Sequence, residues 1–167
     1  MSEAPRKVRN PYAGIGEYNC FGCDPGNAAG LRLEFFLEDE RVTSEWVPRK
    51  ELEGYPGVIH GGIQATLADE IGGWYVHAVL GTAGVTRDLQ VTYHNPARSG
   101  DGPFKLVAVA AEAAVEQGSR DAVIDVTISG ASDTLFSTAR VTYAVFSEAV
   151  ARRRLHFPGR EAFLPEE

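Results

Sequence analysis

The chain has 167 residues, enough for one domain with a full core and too few for two. Its 44% hydrophobic and 23% charged residues are those of an ordinary globular protein, and no apolar run approaches the length of a membrane span. A net charge of −7, from 23 acids against 16 Lys and Arg, argues against a nucleic-acid surface, which needs a basic face to displace counterions. The polar, basic start lacks the apolar core of a signal peptide, so the cytoplasm is the expected compartment and no membrane partner is expected.

Residues 1–30 are rich in Gly, Pro, Asn and Asp and read as an irregular segment. A single domain is expected over 31–147, with a peripheral tail over 148–167 that carries Arg152-Arg153-Arg154. Cys20 and Cys23 form one C-x-x-C. A structural zinc site asks for two further ligands and no second C-x-x-C follows, so the pair reads as packing or turn geometry and no metal is expected.

Alternation over Leu31 to Leu37 and again over Arg41 to Val47 predicts a β-hairpin, ended by Pro48. From His60 to Leu80 the period changes. Ile63, Leu67, Ile71, Tyr75 and Val79 recur at four-residue steps and Gly81 supplies a stop, so one long helix is predicted. Gly61, Gly62, Gly72 and Gly73 each cost roughly 1 kcal/mol in a helix relative to Ala. Close approach of another backbone or a ligand is their expected compensation. Four strands follow, over Thr86 to Tyr93, Phe104 to Val115, Ala122 to Ser129 and Leu135 to Phe146, separated by turn-rich segments that include Gln117-Gly118-Ser119. Two strands, a helix and four strands in consecutive hairpins give an α+β architecture, an antiparallel β-sheet wrapped around one long central α-helix.

The helix start His60-Gly61-Gly62 offers unpaired N–H groups and a positive dipole end, suited to a carbonyl oxygen on which negative charge develops. Asp69, two and a half turns on, is a carboxylate in an apolar segment and needs a partner or a chemical use. Glu70, about 100° further round the helix, is the rival acid. Along one helix His60 and Asp69 stand roughly 13 Å apart, too far to share one carbonyl. Two such helices related antiparallel by a two-fold axis would bring Asp69 of one chain to the Gly62 end of the other.

The chain resembles the hotdog-fold thioesterases, of the branch that includes the phenylacetate-pathway acyl-CoA thioesterases. The resemblance covers roughly residues 19–146 and rests on Asn19-Cys20-Phe21-Gly22-Cys23 with Gly30-Leu31-Arg32-Leu33, on Pro56 to Gly62, on Ala65-Thr66-Leu67-Ala68-Asp69, and on Gly84 to Tyr93 with Asn95-Pro96-Ala97. It implies hydrolysis of an acyl-CoA thioester in a homodimer or a dimer of dimers, with no cofactor beyond the coenzyme A of the substrate. By the family pattern Asp69 is the nucleophile or general base. Gly62 supplies the N–H that polarises the carbonyl, His60 is the motif histidine, and Thr86 is a hydroxyl near the attacking water. Gly61, Glu70 and Trp74 are candidate substrate contacts, and Arg87 and Arg98 are candidate partners for the phosphates of coenzyme A.

One departure from the pattern stands at Gly54, where several relatives carry an asparagine six residues before the motif histidine. It shifts the burden of positioning to His60 and Thr86. The bland readings are a structural Asp69 paired with Arg87, a His60 that caps the helix, and a Thr86 that is an ordinary strand residue. A hydratase of the same fold shows a His five residues after its Asp, where this chain has Trp74. A non-catalytic acyl-CoA-binding protein of the same fold is the alternative function.

Overall fold

The structure, a computed structural model, describes residues 4–112 and 120–164. In chain order it holds β1 (Arg6–Lys7), β2 (Phe36–Glu38), β3 (Arg41–Trp46), β4 (Glu53–Tyr55), β5 (Val58–Ile59), α1 (Gly61–Ala78), β6 (Gly84–Tyr93), β7 (Phe104–Ala110), β8 (Asp121–Ser129), β9 (Leu135–Val145) and α2 (Glu148–Leu155). Seven strands form one sheet in the order β1-β2-β3-β7-β8-β9-β6, each pair antiparallel. β4 and β5 form a separate small hairpin that leads into α1. The α+β architecture expected of the sequence is the one found. Among the described residues no helix is long and apolar enough to cross a membrane.

Alternation decides which face of the sheet meets the helix. Phe104, Leu106 and Ala108 of β7, Ile124, Val126 and Ile128 of β8, and Ala139, Val141 and Tyr143 of β9 are all buried. They face Leu67, Ala68, Ile71 and Tyr75 of α1, which recur at helical spacing and are equally buried. Burying one such Leu or Ile is worth about 1.5–3 kcal/mol, so this layer outweighs the glycines the helix carries. Gly81, at a φ of 69°, then turns the chain back and lets the Thr82 N–H bond the Val76 carbonyl.

The first predicted strand is much shorter than its pattern. Arg32 has a φ of 54°, which no strand accommodates, and the Leu31 and Leu33 N–H groups bond the carbonyls of Phe21 and Gly22 instead of a ladder partner. The strand expected over Phe104 to Val115 ends at Ala110, and Gln117-Gly118-Ser119 lies outside the described residues. The segment after Ser147, read from the sequence as peripheral, packs into the core. Phe157 and Phe163 are fully buried, and both rings stack on His77 near the end of α1. Their isolated aromatics show no period to reveal this.

Candidate active site

Asp69 and Thr86 meet. The Thr86 hydroxyl donates to Asp69 Oδ1 at 2.7 Å, and the Tyr143 hydroxyl donates to the Asp69 backbone carbonyl. Thr86 arrives by a β-bulge. In the β6–β9 ladder Thr86 faces Tyr143 and Asp88 faces the next residue, Thr142, so Arg87 is an extra residue in the strand. Strict alternation would put Thr86 on the same side as Asp88 and Gln90, away from the half-buried Leu89 and Val91. The bulge turns it to the helix side. Arg87 itself pairs with Asp121 on β8, so the bland reading of Asp69, a structural pair with Arg87, is not what the structure holds.

Asp69, Glu70, Trp74, Thr86 and Tyr143 line one cavity of about 830 Å³, within the range of a small-molecule site. Trp74 is buried, stacked on Phe35 at 4.6 Å, and donates its indole N–H to Glu70 Oε1 at 3.1 Å. Desolvation, followed by the charge of Cys20, pushes the Glu70 carboxyl up to about 7. Cys20 and Cys23 line the same cavity. A hydrogen bond from the Cys23 side chain pulls the Cys20 thiol down to about 5 against the cost of burial, and backbone groups of Cys23 and Gly22 assist. The same bond, with burial, pushes Cys23 up. Burial lowers the pKa of His77, whose Nδ1 lies 2.9 Å from the Thr82 carbonyl.

The helix start lies elsewhere. His60, Gly61 and Gln64 line a second cavity of about 500 Å³ together with Gly54, Tyr93 and Asn95. His60 is the N-cap of α1. Its Nδ1 accepts the Gly62 N–H at 2.9 Å, and its carbonyl accepts from Ile63 and Gln64. The Gly62 N–H expected to face a thioester carbonyl is therefore engaged by His60, and Gly61 is the first-turn amide that His60 leaves open. Gly54 packs against His60, since a Cβ at position 54 would stand 3.2 Å from the imidazole Cδ2. Arg98 is exposed in the turn after Ala97, bridged to Val58 beside this cavity.

The helix glycines are matched by side chains rather than by backbone. A Cβ at Gly72 would stand 2.4 Å from the Tyr143 hydroxyl oxygen, and one at Gly61 would stand 3.1 Å from that of Tyr93, which donates to the Gly61 carbonyl at 2.8 Å. Tyr93, Tyr143 and Gln64 escaped the sequence reading. The two tyrosines look like strand residues in the alternation, and Gln64 looks like a surface position. Gln64 is 4% exposed, and its Oε1 has no hydrogen-bond partner among the described residues.

A family model described as the thioesterase superfamily matches residues 56–137, a span that begins before the helix-start motif and runs through Asp69 and Thr86 into β9. Over that span the chain matches the thioesterase superfamily. Solved structures of the superfamily's hotdog fold agree. RHA08564, a thioesterase superfamily protein, matches with a TM-score of 0.64 at 24% identity, over 80% of this chain and 59% of that one. The Streptococcus mutans protein smu.793, solved with acetyl CoA bound, matches with a TM-score of 0.62 at 20% identity, over 81% of this chain and 98% of its own. The Escherichia coli PaaI protein of the phenylacetic acid degradation operon matches with a TM-score of 0.60 at 17% identity, over 71% and 82%. No curated protein sequence matches this chain.

Proposed function

We propose that the protein hydrolyses acyl-CoA thioesters, with Asp69 as nucleophile or general base, in a site completed by a second copy of the chain. The observation that carries this reading is the pairing of a half-buried Asp69 carboxylate with the Thr86 hydroxyl in an apolar-walled cavity. Thr86 holds one carboxylate oxygen, which leaves the other to attack the thioester carbon or to draw a proton from water. The partner's helix start polarises the carbonyl oxygen through the Gly62 N–H once the His60 ring turns off it.

The edge strand supports the two-fold arrangement. β6 is ten residues long and, among the described residues, pairs on one side only, with β9. Gly84, Val85 and Thr86 at its start line the Asp69 cavity, and Tyr93 at its end lines the helix-start cavity. Antiparallel pairing of β6 with its copy would lay the start of one strand against the end of the other. Asp69 of one chain then faces the helix start of its partner, and the exposed edge is covered.

Binding without hydrolysis is the second reading, favoured by the engagement of the Gly62 N–H and by Gly54 in place of a polarising side chain. Thiol release from short, medium, long and aromatic acyl-CoAs separates the two. Hydrolysis predicts turnover of at least one class and a loss of roughly a hundredfold or more in Asp69→Asn with substrate affinity kept. Tight binding with no thiol release from any member would leave the binding reading standing.

A further inference from the structure

Thioester hydrolysis leaves unused a second set of groups, brought together from two distant parts of the chain. Cys20, Cys23 and Glu70 each present a ligand atom, and these atoms lie within 4.8 Å of one another. We propose that Cys20, Cys23 and Glu70 form a binding site for one zinc-class divalent cation, which clips the irregular N-terminal segment to helix α1.

The spacing suits such an ion before it binds. Cys20 Sγ stands 3.5 and 3.7 Å from the two Glu70 oxygens. A tetrahedral centre with bonds of about 2.3 Å to sulfur and about 2.0 Å to oxygen sets its ligands about 3.5 Å apart. Two thiolates and a carboxylate are soft-to-borderline donors of the zinc class, unlike the all-oxygen shells of calcium and magnesium. Three protein ligands leave a fourth position for solvent in the cavity that Cys20 and Glu70 line.

The groups around the three ligands fit the same role. Trp74 donates to Glu70 Oε1 and leaves Oε2 open, while the Tyr18 hydroxyl lies 2.9 Å from Cys23 Sγ. Outer contacts of this kind fix the orientation of ligands in metal sites. The Asp24 N–H bonds the Cys20 carbonyl and closes Cys20-Phe21-Gly22-Cys23 into a single turn. Gly22 makes room for the acid, since a Cβ there would stand 2.3 Å from the Glu70 carboxyl carbon. Among the described residues Glu70 has no ion pair with a Lys or Arg, so no basic side chain competes with a cation for its carboxylate.

The benefit falls on a part of the chain that lacks regular structure. Between Ala4 and Phe35 the only strand is the two-residue β1. A cation held at both ends would tie this segment to α1 at the residue next to Asp69, and its binding energy would add to folding. Binding displaces the protons of the ligating groups to solvent and needs no oxidant or reductant. The site stands independently of the thioesterase reading, and its test uses no turnover.

The test is titration of the reduced full chain with cobalt(II), followed by zinc(II). Thiolate-to-cobalt charge-transfer absorption should saturate at one cobalt per chain and collapse on addition of an equal amount of zinc. Trp74→Phe, which keeps the stack on Phe35, should weaken cobalt binding by roughly 10–100-fold. Cys20→Ser with Cys23→Ser should abolish the band, and Glu70→Gln should weaken it. The proposal is overturned if the folded, reduced wild type gives no such band. Unchanged cobalt affinity in Glu70→Gln would overturn it as well.

Discussion

Thr86 reaches Asp69 because β6 is interrupted one residue later, and that local irregularity decides what the residue can do. On an unbroken strand its hydroxyl would face the side of Asp88 and Gln90, and the carboxylate would lose its donor. A hydrogen bond to a charged group is worth about 1.5 kcal/mol or more, which corresponds to about tenfold in rate. Thr86→Val should therefore lower kcat about tenfold and leave KM nearly unchanged, as steady-state thiol release would show. Gly72 is fixed by a second close approach. Alanine there would gain about 1 kcal/mol in helix propensity. The clash with the Tyr143 hydroxyl and the loss of its bond to the Asp69 carbonyl oppose that gain and leave a net cost of about 1–2 kcal/mol. Denaturant midpoints should show the cost in Gly72→Ala and its partial recovery on adding Tyr143→Phe. Asp69, His60 and Thr86 were legible in the sequence through their motif positions. The bulge was not, because alternation carries no mark of an extra residue. Glu70 was legible as a neighbour of Asp69, but its thiol partner Cys20 lies 50 positions away and no spacing rule connects them.

At the scale of elements, the period of four in α1 and the alternation in the later strands were sufficient to place them, since both patterns follow directly from which face is buried. The two ends of the chain were harder to read. Their order comes from single contacts: Arg32 in a left-handed conformation, the turn at Cys20 to Asp24, and Phe157 and Phe163 stacked against His77. That last docking gives stability a pH dependence. Burial holds the His77 pKa below its ordinary 6.5, so as pH falls below 6.5 the unfolded chain takes up a proton that the folded chain does not. The contribution is full above 6.5 and is lost as pH falls toward the folded value. His77→Phe should flatten this component, seen as a smaller drop in unfolding free energy than in wild type between about pH 7.5 and about pH 5.

For the whole molecule, the two halves of the proposed site sit in separate cavities of one chain, and both cavities reach the same edge strand. On the proposed reading, a two-fold pair brings these two halves together. The exposure of Val85 and Tyr93 on β6 agrees with an edge awaiting a partner. The most direct measurement mixes two variants, each defective in one half. Asp69→Asn removes the acid, and Gly62→Pro removes an N–H at the helix start, where the first turn tolerates proline. Each variant alone should be nearly inactive on the acyl-CoA that the wild type hydrolyses. Co-refolded in equal amounts, they should recover about a quarter of wild-type thiol release, because half of the dimers are mixed and each mixed dimer holds one intact site. No recovery from two variants that both fold and dimerise would contradict a site shared between chains.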